Sequence, residues 1–92
     1  MTGTAVKARI IGRVQGVSYR AWTQETARTY GLAGWVRNCD DGTVEAVFSG
    51  AEDRVKAMLT ACRTGPPAAK VEEIETGPVD AGTVGNSFEI RR

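Results

Sequence analysis

Histidine is absent from all 92 residues. That removes Ser-His-Asp and Cys-His nucleophilic systems, phosphohistidine chemistry and zinc sites of the usual histidine-bearing kind. Cysteine is scarce, and Cys39 and Cys62 have neither metal-ligand spacing nor a CxxC redox motif. They read as two reduced thiols of a cytosolic protein, with a bridge between them left open. No apolar run approaches the roughly 18 residues of a membrane span, and the N-terminus lacks the charged and apolar regions of a signal peptide. Neither sign of charge dominates. Twelve Lys+Arg against eleven Asp+Glu leave +1, without the basic stripe of a nucleic-acid-binding module. These absences lead us to expect a cytoplasmic protein with no nucleic-acid and no membrane partner, residues 1–92 forming a single domain. Any catalysis must use carboxylates, arginine, amides, hydroxyls or the substrate's own groups.

What is present has the rhythm of alternating strands and helices. Residues 5–12 alternate, with Val6, Ala8 and Ile10 on one face and Lys7 and Arg9 on the other. After two glycines, Tyr19, Thr23, Thr26/Ala27 and Tyr30 recur at helical spacing, and Gly31 is placed to end that helix. Leu32 to Asn38 read as a second strand. Asp40-Asp41-Gly42 signals a tight turn into a third, Thr43 to Phe48, so that the two form an antiparallel hairpin. Ser49-Gly50-Ala51-Glu52 fits a capping box. The helix after it carries Val55, Met58, Leu59 and Cys62 as an apolar stripe and ends at Gly65-Pro66-Pro67. Val71 to Thr76 form a fourth strand, in which the differing parity of Val71 and Ile74 implies a bulge. A turn-rich connection, 77–85, leads to a short last strand from Ser87 to Ile90. The order predicts an α+β, ferredoxin-like split βαβ (βαββαβ) sandwich. Two helices cover one face of a four-stranded antiparallel sheet, which gains a short edge strand.

Between the first strand and the first helix lies Gly12-Arg13-Val14-Gln15-Gly16-Val17-Ser18-Tyr19-Arg20. First-turn N–H groups have no intrahelical partner, and the helix dipole adds positive charge there, so the position suits an anion. Glycine at 16 allows a sharp turn and close backbone approach. Arg20 adds a forked cation that matches phosphate oxygens.

The motif Gly12-x-Val14-Gln15-Gly16-Val17-x-x-Arg20 is followed by Gly31-Leu32-x-Gly34-Trp35-Val36-Arg37-Asn38 and by Asp41-Gly42-x-Val44-Glu45. Together they closely resemble the signature of the acylphosphatase family. Gly65-Pro66-Pro67, Val71 and Phe88-x-Ile90-x-Arg92 extend the resemblance over nearly the whole chain. It implies hydrolysis of small acylphosphates to carboxylate and inorganic phosphate by a monomer without metal or cofactor. The backbone amides of Gln15, Gly16, Val17, Ser18, Tyr19 and Arg20 would bind the substrate's phosphate. Arg20 would clamp it, and Asn38 would orient the attacking water, making Arg20 and Asn38 the catalytic pair. The substrate phosphate could itself take the water's proton, so no general base need stand out. Tyr19 stands where phenylalanine is usual, and its hydroxyl needs a partner. Ser18 occupies a variable position.

Plainer readings stand beside these. Arg20 could be a surface arginine, although a cation at a helix start conflicts with the dipole. Asn38 could simply begin the turn. Ser18 has no neighbour to activate it as a nucleophile. Cys39 should point to the opposite face from Asn38 if the strand persists. Trp35 and Arg37 share what is expected to be the helix-free face. Glu25, Glu45, Glu72 and Glu73 do not converge and read as solvated. A non-catalytic phosphate-binding module with the same fold is the competing function. RNA recognition on the sheet lacks the aromatic pair it needs.

Overall fold

Alternation in the first strand decides how the sheet is dressed. In the computed structural model, which describes residues 3–80, 82 and 84–91, β1 (Gly3–Arg13) fully buries Ala8 and Ile10 while Lys7 and Arg9 are exposed. The helix α1 (Tyr19–Thr29) follows, then β2 (Ala33–Asn38), β3 (Val44–Ala51), α2 (Glu52–Thr64), β4 (Lys70–Pro78) and β5 (Phe88–Ile90). The sheet order is β4-β1-β3-β2-β5, antiparallel except for β5, which runs parallel to β2. This is the expected ferredoxin-like arrangement with its short edge strand. Arg92 of the C-terminal motif, with Ala81 and Thr83 of the long connection, lies outside the described residues.

One sheet face carries the core. Register sets Ala8 opposite Ala46, Ile10 opposite Val44, Val36 opposite Ala46 and Gly34 opposite Phe48, so these residues share a side. The α1 stripe Tyr19, Thr23 and Ala27 and the α2 stripe Val55, Met58 and Cys62 close over it. Phe48 and Phe88 stack at 5.6 Å beneath α1, an arrangement worth about 1 kcal/mol beyond the area it buries. Gln24 and Arg28 of α1 donate to the Phe88 carbonyl at 3.2 and 3.3 Å, tying the short β5 to the helix.

Local signals explain most element ends. Gly31 closes α1 as expected, with its N–H on the Arg28 carbonyl and that of Leu32 on the Ala27 carbonyl. The bulge expected in β4 is present. Ile11 faces Glu73 and Gly12 faces Val71, so Glu72 is the unmatched residue and Val71 and Ile74 both pack on the core. The capping box does not form. Ser49 sits inside β3 opposite Ala5, and β1 pairing continues to Ala51, which is the N-cap without a side-chain cap bond. The strand ladder holds 49–51 extended, and Glu52 and Asp53 in the first turn complement the helix dipole instead.

The other sheet face is open. Trp35 and Arg37 share it as expected, with the guanidinium of Arg37 5.8 Å and that of Arg91 5.2 Å from the Trp35 ring centre. Glu45 corrects the reading of that residue as solvated. Its side chain is only 15% exposed and bridges Lys7 at 3.2 Å and Arg37 at 2.9 Å across three strands. Burial alone would push its carboxyl up, but the hydrogen bonds from Arg37 and Lys7 outweigh this and hold it below the ordinary value. Glu25, Glu72 and Glu73 are exposed.

Candidate active site

Val14 and Val17 are both buried in the core and anchor the connection from β1 to α1. Between and beyond them the backbone turns outward. Gly16 has φ 73° and Ser18 has φ 63°, two left-handed residues with Val17 between them. Such alternation gathers successive N–H groups into a concave anion-binding surface. Nothing lies within 4 Å of where a Gly16 Cβ would stand, so the glycine is needed there for its φ and not for space.

Ser18 is the N-cap of α1 and makes no side-chain cap bond, and the first turn holds no acidic residue. The first helical bond runs from the Trp22 N–H to the Ser18 carbonyl at 3.0 Å. The N–H groups ahead of Trp22 therefore have no acceptor within the helix, and the positive end of the dipole is uncompensated.

These groups line a cleft of about 590 Å³ to which Gly16, Ser18, Tyr19, Arg20 and Asn38 all contribute. Arg20 is half-buried and, among the described residues, has no ion-pair or hydrogen-bond partner. Asn38 reaches the cleft from the end of β2. Its Oδ1 is buried without a hydrogen-bond partner, the single such side-chain atom among the described residues. A buried acceptor left unpaired costs about 1–3 kcal/mol, which sets Asn38 apart from an asparagine that merely opens a turn. The arrangement brings together an open set of N–H donors, one free cation and one free amide oxygen. It can hold an anion and orient a small donor beside it.

The side chains of Gln15 and Val17 are turned to other tasks than the cleft. Val17 is a core residue. The Gln15 side chain instead donates both amide hydrogens, to the carbonyl oxygens of Cys39 at 2.8 Å and Thr43 at 2.9 Å. It clamps the loop to the turn that follows Asn38. Sequence reasoning gave Gln15 only its backbone and missed this. The signal was a long amide side chain inside a loop that must be fixed against a second loop. Cys39 follows the last residue of β2, so the strand-face argument ends before it, and both cysteines are free.

The Tyr19 hydroxyl has the partner it required. It donates to the Cys62 carbonyl at 2.7 Å near the end of α2. Burial, with the Cys62 thiol beside it, pushes the Tyr19 hydroxyl far above its ordinary range, and burial likewise pushes the Cys62 thiol up to about 12. Neither serves as an acid, base or nucleophile near neutrality. Val14, Ala21 and Ile90 also line the cleft, and sequence reasoning assigned them no part in it. For Ile90 the signal was its alternation with Phe88, which places both on the helix side of the sheet.

The family model for acylphosphatase matches residues 6–90. An acylphosphatase of Rhodospirillum rubrum is 63% identical over 73 residues, 79% of this chain and 80% of the relative. One of Azorhizobium caulinodans is 53% identical over 81 residues, 88% of this chain and 87% of the relative. The crystal structure of acylphosphatase from Bacillus subtilis superposes with a TM-score of 0.91 at 34% identity, covering 96% of this chain and 98% of that one. A family match across all but the ends of the chain, and relatives this similar over most of their length, show that the chain belongs to the acylphosphatase family.

Proposed function

We propose that this acylphosphatase hydrolyses the carboxyl-phosphate bond of small acylphosphates by in-line attack of a water oriented by Asn38. The phosphoryl group sits in the 15–20 cradle, its charge met by the open N–H groups and by Arg20. The water accepts no proton from the protein and gives none to it. As its oxygen bonds to phosphorus, the bond from phosphorus to the acyl oxygen breaks and its electron pair leaves with the carboxylate. One water proton passes to a phosphoryl oxygen, so the products are a carboxylate and dihydrogen phosphate. A carboxylate leaves readily, so positioning and charge stabilisation supply most of the catalysis.

The observation that carries this reading is the unpaired, buried Asn38 Oδ1 on the same cleft as Arg20. The turnover of benzoyl phosphate in the presence of a chelator tests it. Arg20→Ala and Asn38→Ala should each lower kcat by about 10²–10³. Undiminished turnover in either variant would overturn its assigned role, and phosphate binding without any turnover would favour a binding module instead.

The chain works as one domain and as a monomer in the cytoplasm. The long edge strand β4 supports the monomer, since Glu72, Glu73, Glu75 and Pro78 discourage strand-to-strand association. Two free thiols agree with a reducing compartment.

A further inference from the structure

Ile90 is the one large hydrophobic residue exposed among the described residues, at 40%, and it stands on the wall of the catalytic cleft. A single exposed isoleucine is ordinary on a protein surface, so it is the position on the cleft wall that gives Ile90 an occupant to meet. The cleft, at about 590 Å³, also has far more room than a phosphate ion needs. Its polar groups are gathered on the cradle and Asn38. Ala21 and Ile90, both exposed, supply most of its apolar surface, with the buried Val14 behind them.

Position gives Ile90 a particular task. β5 runs parallel to β2 with Ile90 beside Val36, two residues back from Asn38 and one strand to the side. In an in-line displacement the acyl group departs on the far side of phosphorus from the attacking water. A wall set back from Asn38 can therefore meet the acyl group without displacing that water. Among the described residues Arg20 is the one cation on the cleft, and the phosphoryl group engages it, which leaves no second described cation to meet an ionised acyl chain.

We propose that Ile90, with Ala21 on the same cleft, is the specificity surface for the acyl group, favouring acylphosphates with aromatic or branched apolar acyl groups over acetyl phosphate. This rests on the reading of the cradle and Asn38 given above. The test is to measure kcat and KM for benzoyl and acetyl phosphate in the unmodified protein, Ile90→Ser and Ile90→Leu. Ile90→Ser should raise KM for benzoyl phosphate about five- to tenfold, leave acetyl phosphate within about twofold, and leave inhibition by inorganic phosphate unchanged. Ile90→Leu should keep the benzoyl value. An equal rise for both substrates, or no rise for benzoyl phosphate, overturns the proposal. Binding of phenylphosphonate and methylphosphonate by calorimetry gives a second measure, and Ile90→Ser should weaken only the former. Should the unmodified protein turn over neither substrate, the catalytic reading fails by itself and the phosphonate pair still decides the role of Ile90.

Discussion

The side chain of Gln15 donates to the carbonyl of Cys39 at 2.8 Å, which fixes the phosphate cradle against the residue that follows Asn38. Its second hydrogen goes to the Thr43 carbonyl at 2.9 Å, so one amide spans both sides of the hairpin turn. The clamped residues lie 24 and 28 positions from Gln15 in the chain, and this clamp sets the spacing of the two halves of the site.

Gln15→Met, which keeps length but donates nothing, should therefore act on geometry. We expect kcat for benzoyl phosphate to fall about ten- to a hundredfold, since small misplacements are costly to positioned chemistry. Inhibition by inorganic phosphate should change less than about threefold, because the cradle amides and Arg20 remain. Stability to urea should fall by about 1–2 kcal/mol, as the Cys39 and Thr43 carbonyls each lose one of two donors and keep the backbone N–H of Gly42 and of Cys39 respectively. A parallel loss of phosphate affinity and kcat would instead mean that the loop itself has collapsed.

Tyr19 predicts the opposite split. Its hydroxyl satisfies the Cys62 carbonyl, one of the last carbonyls of α2 that the helix cannot pair internally. Its ring packs against Gly65, where a Cβ would come within 2.7 Å of it, and against Trp22 at 5.5 Å. Tyr19→Phe keeps those contacts and should lower stability by about 1 kcal/mol while leaving turnover within about twofold. Urea unfolding and benzoyl phosphate kinetics on the same preparation decide this.

The buried thiol of Cys62 gives the fold an alkaline limit. Burial raises it to about 12 from its ordinary 9.0, with the neighbouring Tyr19 hydroxyl offsetting only part of the rise. Between these values the unfolded chain loses this proton and the folded chain keeps it. The stability the thiol contributes is thus complete below pH 9 and is lost as pH rises toward 12, at no more than about 1.4 kcal/mol per pH unit. Cys62→Ala should be less stable throughout but should show a shallower decline between pH 9 and 11. An unchanged slope in urea titrations would remove Cys62 as the cause.

Much of this was legible in the residues because local patterns and tertiary demands agree. The i, i+4 spacing of Tyr19, Thr23 and Ala27 is the buried face of α1, and the parity break between Val71 and Ile74 is the bulge at Glu72. Legibility failed where a long-range contact outweighed a local one. Ser49 carries a capping signature, yet β1 pairing through Ala51 keeps it in the strand. Glu45 looks like one more surface carboxylate until the register brings Lys7 and Arg37 to it from the neighbouring strands. Ile90 and the Gln15 side chain belong to the site only through β5 pairing and hairpin closure, which no single segment announces.

Asn38 separates a structural from a catalytic asparagine by the sign of a stability change. As a turn-opening residue it would contribute hydrogen bonds, and Asn38→Ala would destabilise the fold by about 1 kcal/mol. The structure instead leaves its Oδ1 buried and unpaired, a cost carried by the folded state. Arg20 belongs to the same account, as a cation in the first turn of α1 without an acidic partner among the described residues. Asn38→Ala and Arg20→Ala should each be as stable as the unmodified protein, or more stable by up to about 1 kcal/mol, while losing nearly all turnover. Saturating inorganic phosphate should stabilise the unmodified protein, and Arg20→Ala should respond much less. Urea unfolding with and without phosphate measures all of these quantities. A loss of stability above about 1 kcal/mol in Asn38→Ala, with turnover retained, would return Asn38 to the turn.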